Sequence, residues 1–138
     1  MEVKIKLLDG QMPVYSREGD ACLDCYAAED ITLRYGETKK VRLGFALELP
    51  KGYEAQIRPR SGLSLKGVQV QLGTIDSNYR GEVNAIIHYV GSLEPFEIVK
   101  GVRIAQMKIE KVEPVTFVEV AELSETNRGG NGFGSSGM

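Results

Sequence analysis

Short segments in which apolar and polar residues alternate recur along the chain, and this period of two limits the possible folds more than any other feature. The longest of them, Val41–Leu49, has an apolar side chain at every second position. Such alternation is typical of a strand with one buried face. The predicted strands are Val3–Leu7, Ile31–Tyr35, Val41–Leu49, Tyr53–Ile57, Val68–Leu72, Val83–Val90, Phe96–Ile98, Val102–Ile109 and Val115–Val120.

A helical pattern is missing from the sequence. No stretch long enough for a stable helix has an apolar stripe, and only a single turn is predicted, within Ser61–Lys66. Glycine and proline separate the strands, and many short strands joined by such turns indicate an all-β barrel or sandwich of jelly-roll type. A chain of 138 residues is long enough for one domain with a real core, which we assign to residues 1–123.

The segment 124–138 differs in composition from the rest. It contains five glycines, and its only large apolar side chains are Phe133 and Met138, so it cannot bury enough surface to order itself. We expect a flexible C-terminal arm, for which two interpretations remain open. It is either a solubilising tail or a lid, because an aromatic plane, glycine amides and the cation of Arg128 suit a phosphorylated ligand.

Composition disfavours some function classes. The formal net charge is −2, so no overall basic field attracts nucleic acid, and an anion site must be a local cluster. The N-terminus has no apolar core of signal-peptide length, and no run approaches the ~20 apolar residues of a membrane span. We therefore expect a cytoplasmic protein that binds neither nucleic acid nor membranes.

Cys22 and Cys25 form a C-x-x-C motif that invites a zinc or redox interpretation. A structural zinc site needs four ligands, and the only histidine, His88, lies in a predicted strand far along the chain. A redox pair precedes a helix, whereas this motif leads into a predicted strand. We interpret both cysteines as small core residues, and His88 as a packed or surface residue.

The stretch Gly73–Val83 carries turn-forming residues between two predicted strands, so it is predicted to be the tip of a hairpin. Asp76 follows Ile75, which should point into the core, and Tyr79 lies three residues further on. A carboxylate in this place has a position set by strands while its oxygens stay reachable. The alternative is that it only satisfies local backbone groups in the turn.

Two further stretches carry polar groups next to predicted strands. Arg58–Gly62 reads RPRSG, and its guanidinium groups, hydroxyl and backbone amides suit phosphate oxygens. Arg103 and Gln106 stand around an apolar pair in Gly101–Gln106, where Gln106 is an uncharged donor and acceptor.

These stretches together resemble a known family. In order, Ala21–Ala27, Arg58–Gly62, Gly73–Gly81, Gly101–Met107 and Arg128–Gly137 are similar to the five motifs of the homotrimeric dUTP diphosphatases (dUTPases). The resemblance implies a jelly-roll-like distorted β-barrel, the dUTPase-like β-clip. It also implies a homotrimer that hydrolyses dUTP to dUMP and pyrophosphate with Mg²⁺, at three sites built between subunits. Such an enzyme keeps uracil out of DNA and supplies dUMP for thymidylate synthesis.

The resemblance also implies residue roles. Asp76 would activate the water that attacks the α-phosphorus, Tyr79 would stack under the deoxyribose, and the backbone near Thr74 and Ile75 would pair with uracil. The phosphates would be held by Arg60, Ser61, Gly62 and Gln106. The arm would contribute Arg128, Phe133, Gly134, Ser135 and Ser136 to a neighbouring subunit's site. Asp24 would help to hold Mg²⁺, largely through water.

Two alternatives stay open at this point. A dCTP deaminase-type enzyme would share the architecture, but its family has longer chains and a glutamate base, so Asp76, Tyr79 and the Gly-Phe-Gly tail favour the diphosphatase. The alternative of a different class is a non-catalytic nucleotide-binding β-domain that keeps the shape without the chemistry.

Overall fold

The computed structural model describes residues 1–137, and nearly all of their regular structure is antiparallel β-sheet. In chain order the elements are β1 Lys4–Leu7, β2 Leu23–Tyr26, β3 Ile31–Leu33, β4 Thr38–Glu48, β5 Tyr53–Arg58, α1 Ser61–Ser64, β6 Val68–Val70, β7 Gly73–Ile75, β8 Glu82–Tyr89, β9 Phe96–Ile98 and β10 Arg103–Lys111. Met138, the last residue of the predicted arm, lies outside the described residues. Within residues 1–137, no helix has the length and apolar character needed to cross a bilayer.

The strands form two four-stranded sheets, ordered β1-β4-β8-β6 and β2-β10-β5-β7, and a two-stranded sheet of β3 and β9. Their inward side chains make one core, in which the largest fully buried side chains include Phe45, Leu43, Ile57, Ile87 and Ile104. This burial of one face on every long strand is the physical reason for the alternating sequence pattern. The prediction of an all-β fold is confirmed.

The strand β4 follows its predicted face closely and departs from regularity at one point. Val41, Leu43, Phe45 and Leu47 are all buried, as the alternation predicts. The pairing of β4 with β8 shifts between Arg42 and Ala46, which is a β-bulge. Within it, Gly44 has φ +74°, a conformation that side chains with a Cβ rarely adopt.

The predicted hairpin around Gly73–Val83 is only partly correct. Its flanks pair as expected, since β6 is antiparallel to β8 with Val70 opposite Ile87. Between them, however, β7 leaves this sheet and pairs with β5 of the other one, with Ile75 opposite Ala55. The local pattern predicts a strand but carries no information about which sheet receives it.

Two further predictions differ from the structure. Val115–Val120 forms no strand among residues 1–137, and Val115, Phe117 and Val118 are 74%, 93% and 78% exposed. Leu23–Tyr26, for which no strand was predicted, forms β2 against β10. The sequence of β2 does not show the alternating pattern of a strand, because the acid Asp24 and its neighbour Cys25 are both buried.

Candidate functional site

A charged pocket of about 480 Å³, the arginine pocket, opens where β2, β10 and β5 end side by side. Asp24 is opposite Gln106 and Gln106 is opposite Arg58, so this register brings the three strands level with one another. The polar side chains and backbone groups that line the pocket come from Ser16, Arg17, Asp20, Asp24, Arg60, Ser61, Gly62, Arg103 and Gln106.

Asp24 is the buried acid of this pocket, with 9% of its surface exposed. Its Oδ2 atom accepts hydrogen bonds from the Ser16 hydroxyl and, at 3.2 Å, from Arg103 Nη1, while Arg60 Nε lies 3.7 Å from Oδ1. Burial opposes ionisation, but the two hydrogen bonds and the charges of the arginines hold the pKa of Asp24 below its usual value. Asp24 is therefore an anion that fixes two guanidinium groups.

The other groups in the pocket that could donate hydrogen bonds to a phosphate have defined positions. Arg60 Nη1 donates to the carbonyl of Arg103 at 3.1 Å, and Gln106 Nε2 donates to the carbonyl of Pro59 at 2.9 Å. Ser61 and Gly62 are exposed at the start of α1. Positive charge from arginines together with a hydroxyl and backbone amides makes an anion site, suited to the oxygens of phosphate groups.

Asp76 lies in a different place. It is exposed at the end of β7, immediately after buried Ile75, and lines a second pocket together with Glu54, Ser77 and Asn78. The amide of Tyr79 donates to the Asp76 carbonyl at 3.1 Å, which closes a turn. The carboxylate is thus accessible to water on a strand-fixed backbone, as predicted.

Tyr79 presents its ring to solvent beside Asp76. The side chain is 46% exposed, and its hydroxyl donates to the carbonyl of Glu82 at 3.0 Å. Thr74 is also exposed and Ile75 is buried, and both belong to β7, which is an edge strand of its sheet. An exposed aromatic plane and an edge strand a few residues away are features suited to a nucleoside.

A single chain does not bring Asp76 to the arginine pocket. Ile75 is opposite Ala55, which puts Asp76 level with Glu54, whereas Asp24 is level with Arg58. Four residues of strand correspond to about 13 Å along the sheet, and the strand order adds about 14 Å across it. Within one chain, the two sets of side chains therefore lie at separate places on the sheet.

The predicted arm residues form a third group. Arg128, Phe133, Gly134, Ser135 and Ser136 line a cavity of their own. Arg128 Nε donates to the carbonyl of Asn131 at 2.9 Å, and the ring of Phe133 is fully exposed. Among residues 1–137, no residue of this group lines either of the other two pockets.

The arginine pocket also contains residues that were not predicted from the sequence to belong to a site. Ser16 and Arg17 reach it because the backbone of Val14 pairs with that of Asp24, a contact without a local sequence signal. Arg103 was noted in its motif, but its bond to Asp24 joins strands that are distant in sequence.

The two cysteines have different surroundings. Cys25 is fully buried, so the prediction of a small core residue is confirmed. Burial raises the pKa of its thiol to about 12. Cys22 is only partly buried and lines the arginine pocket, so the same prediction is wrong for Cys22.

Comparison with known proteins decides the family. The sequence profile of the dUTPase family matches residues 9–137. This chain belongs to the dUTPase family. Two curated dUTPases, each described as deoxyuridine 5'-triphosphate nucleotidohydrolase, support this. The one from Clostridium novyi is 48% identical over 130 residues, covering 92% of this chain and 91% of the relative. The one from Rickettsia felis is 47% identical over 145 residues, covering 99% and 97%.

Solved dUTPase structures have the same fold. The dUTPase of Staphylococcus bacteriophage 80alpha with dUPNHPP matches with a TM-score of 0.89 and 28% identity over 99% of both chains. The dUTPase of phage phi11 of S. aureus matches with a TM-score of 0.82 and 22% identity over 91% of this chain and 100% of that one. The predictions of a jelly-roll-like fold and of a dUTP-hydrolysing enzyme are confirmed.

Proposed function

We propose that this dUTPase releases pyrophosphate from dUTP by attack of an Asp76-activated water on the α-phosphorus, at three sites built between the subunits of a homotrimer. The observation that carries the proposal is the separation of Asp76 from the arginine pocket within one chain. A general base must lie within hydrogen-bond reach of the water that it activates. A second copy has to supply the phosphate-binding residues to each Asp76.

The surroundings of Asp76 suit a general base. Its carboxylate is exposed, and buried Ile75 fixes the backbone beside it. Hydrolysis of this kind depends mainly on positioning and on neutralising the phosphate charge. Asp76 would hold the water and take its proton as the oxygen attacks phosphorus, and pyrophosphate would leave.

The nucleoside would lie against the turn that carries Tyr79. The exposed ring would stack under the deoxyribose and leave no space for a 2'-hydroxyl, while the backbone near Thr74 and Ile75 would pair with the edge of uracil. Buried groups left unpaired by a wrong base give strong rejection. This arrangement would separate dUTP from UTP and from dCTP.

The phosphates would bind in the arginine pocket of another subunit. Its donors are Arg60, Ser61, Gly62 and Gln106. The ion pair of Arg60 with Asp24 and its hydrogen bond to the Arg103 carbonyl hold the guanidinium in one orientation before the ligand arrives. Groups positioned in advance need no reorganisation on binding, which increases their effect on the transition state.

The donor set of this pocket fits a magnesium ion that is carried mainly by the substrate. Among residues 1–137, no three metal-binding side chains cluster together, and the buried carboxylate in the pocket is Asp24. Mg²⁺ commonly keeps several waters and takes further ligands from phosphates, so one carboxylate is sufficient. Asp24 would hold the ion through water, and the bound ion would supply charge neutralisation on the triphosphate. A phage phi11 dUTPase structure is described with a structural Mg(II) ion.

The chain would be divided into a barrel domain, residues 1–123, and an arm, residues 124–138, that covers a neighbouring subunit's site. The full exposure of Phe133 and the separate position of Arg128, Gly134, Ser135 and Ser136 support a segment that finds its partner in another chain. The exposed apolar residues Val115 and Phe117 support the same conclusion for the segment that leads to the arm. The cytoplasmic location stays a prediction.

The experiment that tests the proposal is a pyrophosphate-release assay with dUTP, dTTP, dCTP and UTP. We expect pyrophosphate release from dUTP at a kcat/KM well above that for the other three nucleotides. Ammonia production from dCTP would instead favour the deaminase alternative. Tight dUTP binding without any product would favour the non-catalytic alternative.

A further inference from the structure

The ring of Tyr79 is held by the residues that follow it. Its hydroxyl donates to the carbonyl of Glu82 at 3.0 Å. A Cβ atom on Gly81 would lie 2.6 Å from Tyr79 Cζ and 2.9 Å from Cε1, so the ring lies directly over this glycine. The orientation of the ring therefore depends on where the backbone of Glu82 is fixed.

Glu82 is in turn fixed to the bulge of β4. Its side chain is 23% exposed, and the carboxylate accepts the amide of Gly44 at 3.1 Å on one oxygen and Arg42 Nε at 3.1 Å on the other. The bulge interrupts the ladder between Arg42 and Ala46. The Glu82 side chain therefore provides the hydrogen bonds that regular pairing would have provided there.

The Arg42 guanidinium is itself held from the other side. Asp9 Oδ1 accepts Arg42 Nη2 at 2.5 Å, and Glu29 lies 3.9 Å from Nε. The carboxylates of Asp9 and Glu82 raise the pKa of Arg42, so the guanidinium stays charged and its bond to Glu82 is charge-assisted. The chain of contacts runs from Asp9 through Arg42 and Glu82 to Tyr79.

We propose that Glu82, held by Gly44 and Arg42, is a positioning residue that sets the ring of Tyr79 and thereby the discrimination between deoxyribose and ribose nucleotides. The inference rests on the proposed function, in which this ring excludes the 2'-hydroxyl. One hydroxyl is a small difference, so only a ring that does not move can exclude it. Glu82 acts through Tyr79 and contacts no reacting atom.

The test is the ratio of kcat/KM for dUTP to kcat/KM for UTP, measured for the full-length wild type and for Glu82→Ala, Glu82→Gln and Tyr79→Phe. We expect Glu82→Ala to lower the ratio about tenfold, the order of effect of one lost hydrogen bond. Glu82→Gln keeps an oxygen for the Gly44 amide and should lower it less. Tyr79→Phe removes the hydroxyl that Glu82 holds and should resemble Glu82→Ala.

The double variant Tyr79→Phe/Glu82→Ala separates a positioning role from general destabilisation. If Glu82 acts through the Tyr79 hydroxyl, the double variant should have the ratio of Tyr79→Phe alone. Independent effects that multiply would overturn the proposal. If Glu82→Ala does not fold, Glu82→Gln with Tyr79→Phe/Glu82→Gln makes the same comparison.

Glu48→Ala is the matched control. Glu48 is the last residue of β4, and Glu82 is the first residue of its partner strand β8. Glu48 pairs with Lys4 and Arg80 close to the same turn, but it makes no bond to Glu82 or Tyr79. Its ratio should equal that of the wild type, and a fall equal to that of Glu82→Ala would overturn the proposal.

An unchanged ratio in both Glu82 variants of an active, discriminating enzyme would overturn this inference alone. A wild type that does not hydrolyse dUTP would overturn the proposed function, and this inference with it.

Discussion

At the scale of single residues, Asp24 and Asp76 are acids of one sheet with opposite surroundings. Asp24 is buried and bonded to Ser16 and Arg103, whereas Asp76 is exposed at a strand end. A carboxylate that already neutralises two guanidinium groups is a poor proton acceptor, and one that is free toward solvent can hold a water. The surroundings therefore agree with an anchoring role for Asp24 and a base role for Asp76.

Replacing Asp76 with Asn should abolish most turnover and keep substrate binding. The amide retains the shape of the side chain but cannot take a proton from water. We expect kcat for pyrophosphate release to fall about 10²–10⁴-fold, the usual contribution of a general base, with dUTP affinity by calorimetry largely unchanged. Turnover at the wild-type rate would contradict the role assigned to Asp76.

Replacing Asp24 with Asn should make the free energy of unfolding less dependent on pH in the acid range. Because the folded-state pKa is lowered, ionised Asp24 stabilises the fold above its usual pKa of 3.8, and this contribution is lost as the pH falls through the lowered value. At neutral pH we expect Asp24→Asn to reduce the free energy of unfolding by about 1–3 kcal/mol. Urea unfolding at fixed protein concentration should show this difference shrinking below about pH 4. A difference that is constant with pH would contradict this account.

At the scale of elements, the bulge of β4 is the irregular part that positions the turn of Tyr79. Gly44 reaches φ +74° and lies against Gly10, so the two backbones approach without side chains between them. A Cβ on Gly44 would collide with the backbone of Gly10 and would lie 2.9 Å from Ala28 Cβ. Bulges that redirect a side chain next to an active site are a recurrent use of this irregularity.

Gly44→Ala should destabilise the protein more than Gly36→Ala. Both glycines have positive φ, but a Cβ on Gly36 would meet nothing within 4 Å. We expect Gly36→Ala to cost about 1–2 kcal/mol from backbone strain alone, and Gly44→Ala about 1–3 kcal/mol more from the collision. Chemical denaturation of both variants measures the difference. Equal losses would show that Gly10 can move aside.

Removing residues 124–138 should affect turnover and leave the barrel intact. The deleted residues that the structure describes, 124–137, belong to no strand, so we expect the thermal unfolding of the truncated protein to stay close to that of the full chain. If the arm covers the site, kcat/KM for dUTP should fall at least about tenfold, or about 1.4 kcal/mol of transition-state stabilisation. An unchanged kcat/KM would mean that the arm is not a lid.

At the scale of the whole molecule, the residues of the proposed site lie in three separate places. Asp76, the arginine pocket around Asp24 and the arm residues around Phe133 line different cavities. A closed ring of identical chains can join unlike surfaces of neighbouring copies and repeat the same site at each junction. If these residues form one site, as proposed, assembly is a condition for activity.

Mixing two inactive variants should restore activity if the site is shared between subunits. Asp76→Asn and Arg60→Gln chains, unfolded and refolded together, should recover about a quarter of the wild-type activity. In a random equal mixture, about half of the sites receive an intact Asp76, and about half of those also receive an intact Arg60. Light scattering should give three times the chain mass of 15.2 kDa. Asp76→Asn mixed with the double variant Asp76→Asn/Arg60→Gln should stay inactive. Mixed assemblies without recovered activity would contradict a shared site.

The sequence by itself determined the fold class, most of the strands and the types of residue at the site. An alternating pattern reports the burial of one face, which is a local property, so Val41–Leu49 and Tyr53–Ile57 could be predicted directly. The same pattern in Val115–Val120 was misleading, since its apolar residues are exposed in the single chain. The pattern shows that a face needs covering but not which chain covers it.

Only the tertiary structure decided which residues meet. The pairing of β7 with β5 carries Asp76 away from Arg60, and the pairing of β2 with β10 joins Asp24 to Arg103. The carboxylate of Glu82 reaches Gly44 across β4 and β8 because a bulge leaves that amide without a ladder partner. Contacts of this kind depend on register between distant strands, and register is set by the packing of the whole core rather than by any short stretch of sequence.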